Sequence, residues 1–313
     1  MILVTGPNGN VGTELTQLLV SRGDVPYRIA SRHPESLQRK FGAEVPSVKL
    51  DFLDHGTWPS ALAGVDTVFL LFPLPHPGTA KQHMVPFVHA CRDAGVRHIV
   101  YLSVPGADLY SVIPHHHTEK AIRESGVGYT ILQASYFSQN LLRDIATHWV
   151  DIAMFDEIYI PAKNGLHSFI DSRDVGEAAL NVMLAPAAHR NKTYVITGPE
   201  NLTFGAVAQI MTEELGRPIR YANPSLPAFW WRMHRRGVTG DVLFFMCVTY
   251  VIGRYGKNGP MTEQLGPLLT RPPYTMRDFV RAHREKWRSL PRDARLDPEL
   301  GRGPGWAGPK AGS

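Results

Sequence analysis

Three glycines, one arginine and a run of histidines are the residues of this chain whose types and spacing point to chemistry. Gly6, Gly9 and Gly12 stand at GxxGxxG spacing, directly after the apolar run Ile2-Leu3-Val4, and Val11, Leu15, Leu18 and Leu19 then recur at helical spacing. In a strand–turn–helix of this kind the first glycine lets the chain reverse, the second lets backbone approach a pyrophosphate, and the third lets helix and strand pack closely. The helix offers free N–H groups and the positive end of its dipole to the phosphates. Thr5, Gly6, Asn8, Gly9, Asn10, Val11 and Gly12 are the expected cradle of a dinucleotide.

The far end of such a ligand is read about 20 residues later, where a NAD-preferring site commonly carries an acid that binds the ribose hydroxyls. Here the second strand, Tyr27 to Ser31, ends in Ser31-Arg32-His33-Pro34. A guanidinium at that strand end suits a 2′-phosphate, so NADP(H) is expected over NAD(H). After a third strand over 47–50, Asp51 and Phe52 offer an acceptor and an apolar face to an adenine ring; Asp51 reads equally well as a helix cap. Phe72 and Pro73 leave the fourth strand, Ser103 ends the fifth, and Tyr136 and Phe137 leave the sixth. Loops at the carboxyl edge of a parallel sheet line the ligand crevice, so these residues join the expected cofactor site.

The segment Pro114-His-His-His-Thr-Glu-Lys-Ala-Ile-Arg-Glu-Ser-Gly126 reads as a helix ended by glycine. Adjacent histidines on a helix point about 100° apart and cannot all ligate one ion, so no metal is expected. Helical spacing puts His115, Glu119 and Ile122 on one face and His116 and Lys120 on the next. A histidine close to the cofactor can move protons near neutral pH. His115, His116 and Lys120 are the candidate catalytic groups, with Glu119 set to orient or charge the ring of His115; the alternative is a polar helix start with solvated imidazoles.

The elements that must position these residues alternate strand and helix, which predicts an α/β fold: a Rossmann-type doubly wound parallel sheet over residues 1–150. Beyond it the alternation weakens into a small C-terminal α+β substrate lobe over 151–288, interleaved with segments near 166–200 that return to the first domain. Helices over 224–236 and 239–255 are dense in aromatics, and Trp230, Trp231 and Phe245, with Asn140, are the expected wall of an apolar substrate pocket. Residues 289–313, rich in Gly, Pro and charge, read as a tail without a core of its own.

With 313 residues, 43% hydrophobic and 19% charged, the composition is that of a globular protein able to bury a sizeable core. Two cysteines exclude a disulfide framework. The longest apolar run, Val242 to Ile252, is too short to span a bilayer, and Met1 begins the first strand with no room for a targeting peptide. A cytoplasmic protein without a membrane partner is the expectation. The net charge of +5 comes from scattered basic residues, and the densest cluster, Arg232, Arg235 and Arg236, reads as a solvated helix face rather than a nucleic-acid site. The expected partner is an apolar small molecule, with the chain a monomer or homodimer.

These motifs together resemble the NmrA-like branch of the atypical short-chain dehydrogenase/reductases, over roughly residues 1 to 287. VTGPNGNVG at 4–12 is similar to the family's opening. HHHTEKAIRESGVGYTILQASYFSQN at 115–140 resembles its H-x-x-T-E, S-G-x-x-Y-T and F-x-x-N pattern, FIDSRDVGEAA at 169–179 its domain-return segment, and RPPYTMRDFV at 271–280 its closing helix. The resemblance implies a Rossmann-type domain with a small C-terminal lobe. It also implies an NADPH-dependent oxidoreductase passing hydride to an apolar quinone-like, carbonyl or imine acceptor. The family further contains NADP(H)-sensing regulators without redox turnover, and biosynthetic enzymes that use the fold without redox chemistry. The chain departs from the wider superfamily's Tyr-x-x-x-Lys pair: that spacing is occupied by His116 and Lys120. His115 matches the histidine of quinone-reductase-like members, and His117 lies near the lysine position of the isoflavone-reductase-like branch.

Overall fold

The computed structural model describes residues 1–73, 78–142, 148–255 and 261–288. The expected tail over 289–313, and the middle of the loop after the fourth strand, lie outside the described residues. The chain divides into two units, the first built from Met1–Ser135, Ser172–Thr197 and Thr262–Pro273, the second from Tyr136–Asp171, Gly198–Met261 and the segment from Tyr274 onward.

The first unit opens with β1 (Ile2–Thr5), α1 (Asn10–Arg22), β2 (Tyr27–Ser31), α2 (Pro34–Phe41), β3 (Ser47–Lys49), α3 (Trp58–Leu62) and β4 (Thr67–Leu71). It continues with α4 (Val85–Asp93), β5 (His98–Ser103), α5 (His115–Glu124) and β6 (Gly128–Ala134). The chain then enters the second unit through β7 (Tyr136–Phe137), α6 (His148–Phe155), β8 (Glu157–Ile158) and β9 (His167–Ile170). It returns as α7 (Ser172–Leu184) and β10 (Lys192–Ile196), and leaves again as β11 (Glu200–Leu202), α8 (Phe204–Leu215), β12 (Arg220–Tyr221), α9 (Leu226–Arg235) and α10 (Gly240–Arg254), with α11 (Met276–Arg288) last.

The first unit carries a seven-stranded parallel sheet in the order β10-β6-β5-β4-β1-β2-β3. This is the doubly wound Rossmann arrangement expected from the strand–helix alternation. Its order reverses between β1 and β4, and ligands of such sheets bind beyond the carboxyl ends at that switch point. Strands β1, β4 and β5 are buried along almost their whole length and mostly apolar, because helices cover both faces of a parallel sheet. One core of this unit gathers Leu3, Val68, Phe87, Ile99, Tyr101 and Ile122.

The return segments hold α1, the helix that presents the glycine turn. Gly176 of α7 lies so close to α1 that a Cβ there would stand 3.1 Å from the Leu15 backbone nitrogen. Arg271 bonds the buried Asp174 of α7 at 2.7 Å and Glu177 at 2.9 Å. The first crossing falls at Ser135, earlier than the expected 150, because Tyr136 and Phe137 pair with Phe169 and Ile170 in the second unit's sheet. The segment 262–273 is a further return that periodicity did not indicate: a loop fastened by hydrogen bonds from Thr197 to Thr262 and from Val195 to Gln264 has no repeat to detect.

The second unit holds a three-stranded sheet, β11-β9-β7, and a two-stranded one, β12-β8. Its core packs Phe204, Met211, Phe229, Met233, Tyr250 and Phe279. A buried charge network supports it. Asp151 bonds Arg232 and Arg236, and Arg232 also bonds Glu157. Two of the three clustered arginines are thus tied to buried carboxylates rather than forming a solvated face; Arg235 alone is exposed.

Candidate functional site

The glycine turn between β1 and α1 has the geometry of a phosphate cradle. Gly6 sits at φ +62, a backbone conformation that L side chains rarely adopt. A Cβ on Gly12 would lie 2.1 Å from the Gly6 carbonyl oxygen, so only glycine fits there. Gly9 donates its N–H to that carbonyl at 2.9 Å and has φ −76, an angle open to any residue. Its role is therefore to leave space rather than to permit a turn. Thr13 ties the loop down by donating from Oγ1 to the Pro7 carbonyl at 3.0 Å.

Helix α1 starts without a side-chain cap and without an acid in its first turn. Its first N–H groups and dipole end are left for an anion, which fits a dinucleotide pyrophosphate. The Thr5 hydroxyl does not face that anion. It donates to the Phe69 carbonyl at 3.0 Å and accepts from the Leu71 N–H at 2.9 Å, joining β1 to β4 at the switch point.

At the end of β2, Ser31 accepts from the His33 N–H at 3.1 Å, and Arg32 is exposed. Among the described residues Arg32 has no ion-pair partner. Sequence reasoning missed Lys40, whose ammonium donates to Thr13 Oγ1 at 2.8 Å, one residue past the last glycine. Burial lowers its pKa. Its helix, α2, is mostly exposed, and nothing in its pattern singles out one lysine.

Of the two readings of Asp51, the helix cap falls away. Asp54 caps the following turn, accepting from the Gly56 N–H at 3.1 Å, while Asp51 accepts from the Leu53 N–H at 3.0 Å. Phe52 is partly exposed and packs edge-on against Phe87 at 5.0 Å.

Strand β5 and helix α5 meet in two rungs. Residues two apart on a strand share a face, as do residues four apart on a helix, so Tyr101 and Ser103 stand opposite His115 and Glu119. The Tyr101 hydroxyl lies 2.8 Å from His115 Nδ1, and the Ser103 hydroxyl donates to Glu119 at 2.5 Å. Glu119 also accepts from Gln133 at 3.0 Å and from Arg123 at 2.8 Å. The expected pairing of Glu119 with His115 is thereby corrected: the carboxylate is held by three other donors, and the partner of His115 is a phenol. Ser103 is 2% exposed and its hydroxyl donates to Glu119. Phe72 lies against the His115 ring at 4.5 Å. Burial pushes the imidazole pKa down to about 4, so His115 is neutral at ordinary pH.

The neighbouring candidates do not join this group. His116 Nδ1 faces the Ala107 carbonyl at 2.8 Å, and Lys120 is exposed, 3.9 Å from Glu124. Partial desolvation, with nearby Lys81, His116 and Lys120, lowers the pKa of His117. Pro73 is partly buried beside Phe72 in sequence.

The remaining expected residues belong to the second unit. Tyr136 and Asn140 flank a chain of polar groups: the Tyr136 hydroxyl is 3.4 Å from that of Tyr250, which is 2.7 Å from His148 Nε2. Burial raises the Tyr136 pKa to about 12 and lowers that of His148 to about 3. Phe137 is partly buried, while Trp230, Trp231 and Phe245 are exposed on α9 and α10 and do not wall a buried pocket.

The family described as NAD(P)H-binding matches this chain over residues 6–151. The (4-alkanoyl-5-oxo-2,5-dihydrofuran-3-yl)methyl phosphate reductase of Streptomyces griseus is 32% identical over 229 residues, 71% of this chain and 76% of its own length. The chain belongs to this NAD(P)H-binding reductase family. Another member, the NAD(P)H azoreductase of Xenophilus azovorans, is 29% identical over 287 residues, covering 90% of this chain and 98% of its own. The same fold is seen in the NADPH-dependent quinone oxidoreductase of Escherichia coli in complex with NADPH, at a TM-score of 0.78 and 24% identity over 91% of this chain and 100% of that one. For this family member, the uncapped α1 and the Gly6–Gly12 contact are the features that fit the family's nucleotide.

Proposed function

We propose that this chain is an NADPH-preferring reductase whose acceptor is an apolar small molecule of quinone-like, carbonyl or imine type. The observation that carries the cofactor preference is Arg32, exposed at the carboxyl end of β2 where a NAD site commonly has an acid, with no ion pair among the described residues to give up on binding. A guanidinium recognises a phosphate by charge-assisted hydrogen bonds. The glycine turn and the start of α1 would hold the pyrophosphate, with Asp51 and Phe52 beside the adenine. The relatives' names, azoreductase and quinone oxidoreductase, support an apolar acceptor.

The bound nicotinamide supplies the hydride. What the chain's own residues add is a hydrogen-bond donor for the acceptor. With Tyr101 donating to Nδ1, the neutral His115 ring carries its hydrogen on Nε2 and donates it to an oxygen on which charge develops. A neutral imidazole stabilises such charge without giving up a proton, and water completes the product. The role of His115 is then electrostatic rather than acid–base. The test is loss of the nicotinamide absorbance of NADPH with a set of quinones and azo dyes, compared with NADH. Equal rates with both nucleotides would remove the preference.

A second reading, an NADP(H) sensor without turnover, is favoured by one observation. At the superfamily's Tyr-x-x-x-Lys spacing, His116 is bonded to a backbone carbonyl and Lys120 faces solvent, so no proton-donating pair is assembled there. Tight NADPH binding without oxidation by any acceptor would establish the sensor.

A further inference from the structure

The loop between β5 and α5, residues 104–114, leaves the carboxyl edge of the parallel sheet, the edge along which such folds bind ligands. It ends at His115, the proposed donor to the acceptor. Its tip is apolar and open to solvent: Leu109 is 72%, Tyr110 60% and Val112 87% exposed. Single surface hydrophobics are ordinary, but three within four residues, on a loop that runs into a reacting group, form a contact surface for something apolar.

The base of the loop is fixed. Gly106 turns the chain at φ +80, and the N–H groups of Leu109 and Tyr110 both donate to its carbonyl, at 3.1 and 3.0 Å. A Cβ on Gly106 would stand 3.3 Å from the Tyr110 ring, so the ring packs on the turn. Two further ties come from the elements that build the His115 site. His116 donates from Nδ1 to the carbonyl of the buried Ala107 at 2.8 Å. Gln133 of β6 donates from Nε2 to Asp108 at 3.0 Å, and also to Glu119, one helical turn beyond His115. The Ile113 N–H donates to the Tyr110 carbonyl and the His116 N–H to the Ile113 carbonyl, so the tip passes into α5 without a slack stretch. A surface held in advance loses little freedom when a ligand covers it.

Charge narrows the occupant. Asp108 is the only ionic residue from 104 to 114, and Gln133 bonds it. The tip offers aliphatic and aromatic surface and no cation, which suits a neutral apolar molecule rather than a phosphate or an acid.

We propose that Leu109, Tyr110 and Val112 are specificity-determining contacts for the apolar acceptor, and that His116 and Gln133 are positioning residues that hold them beside His115. The inference rests on the reading of His115 as the acceptor's donor. It also gives His116 a task that its bond to a backbone carbonyl fits.

The test is NADPH oxidation, at saturating NADPH, with benzoquinones carrying linear alkyl chains of increasing length. In the unmodified protein kcat/KM should rise by about twofold to fourfold for each added methylene, as apolar surface leaves water. The double variant Leu109→Ser/Val112→Ser should flatten that rise and increase KM for the longest chain by about tenfold, with kcat and NADPH affinity little changed, the mark of lost ground-state binding. His116→Ala should raise the same KM, and His116→Asn, whose amide can donate to the Ala107 carbonyl in place of Nδ1, should restore it. A chain-length dependence unchanged in the correctly folded double variant would overturn the inference, as would a loss in that variant of NADPH affinity instead of acceptor KM. If the protein oxidises NADPH with none of these quinones, the proposed function fails on its own, and calorimetric titration of the long-chain quinone onto the NADP⁺ complex decides the inference separately. Binding that weakens in the double variant would support the contact surface, and absence of binding to the unmodified protein would overturn it.

Discussion

The Tyr101 hydroxyl stands 2.8 Å from Nδ1 of His115, whose ring is closed on another side by Phe72 at 4.5 Å. A phenol and a phenyl ring around an imidazole keep it neutral and oriented, which separates its role from that of a titrating acid. Because burial holds its pKa near 4, turnover should show no limb around pH 6.5 attributable to this ring. His115→Ala should lower turnover at least about tenfold while NADPH affinity shifts little, as for loss of a positioned donor. A pH–rate profile with an inflection near 6.5 that disappears in His115→Ala would restore the acid–base role.

Tyr101→Phe tests the orientation directly. The ring stays in place but its Nδ1 loses its partner, so the two tautomers become closer in energy. Turnover should fall by about threefold to tenfold, corresponding to one net hydrogen bond, with the KM for NADPH unchanged. Loss of nucleotide affinity instead would mean that the phenol supports the fold rather than the imidazole.

Arg32→Ala should weaken NADPH binding by about 10- to 150-fold, the worth of a hydrogen bond to a charged group, and leave NADH binding nearly as it was. Titration of nucleotide fluorescence with each cofactor decides it. Equal losses for both would take the 2′-phosphate away from Arg32.

The glycines of the turn should respond differently from one another. Gly12→Ala places a methyl 2.1 Å from the Gly6 carbonyl oxygen, so it should abolish nucleotide binding and lower the melting temperature. Gly9→Ala adds a methyl 3.3 Å from the same oxygen at an ordinary backbone angle, and should fold normally. Gly9→Val should also fold yet lose NADPH, because its bulk fills the approach of the pyrophosphate.

Acid should destabilise the protein through its buried imidazoles. His98 and His115 are held near pKa 4 and His148 near 3, all mainly by burial, against 6.5 for a free ring. Below pH 6.5 the unfolded chain binds more protons than the folded one. The stability of the neutral state is therefore complete above about 6.5 and lost as pH falls toward the folded values, each such ring costing about 1.4 kcal/mol for every pH unit of that descent. Thermal melts between pH 7 and pH 4 should show this slope, and His98→Gln should reduce it.

The order of elements in the first unit was legible because each carries its own local signal. Glycines are required by a positive φ at Gly6 and a close approach at Gly12, and buried parallel strands such as Thr67–Leu71 are apolar on both faces. The start of α5 and the basic end of β2 were legible for the same reason: residue type and spacing along one element carry them. What only the tertiary structure decided is which side chains from different elements meet. Tyr101 reads in sequence as one more core aromatic, and Glu119 as the natural neighbour of His115 one helical turn away. The packing of α5 on β5 set the phenol against His115 and the serine against Glu119. The crowded Trp230–Tyr255 region shows the same limit, since aromatic density does not say which ring turns inward. Phe229 and Tyr250 fill the core, while Trp231 and Phe244 face outward. Local sequence determines the conformation a segment adopts and the stripe it can bury; the partner each side chain finds depends on contacts that are distant along the chain.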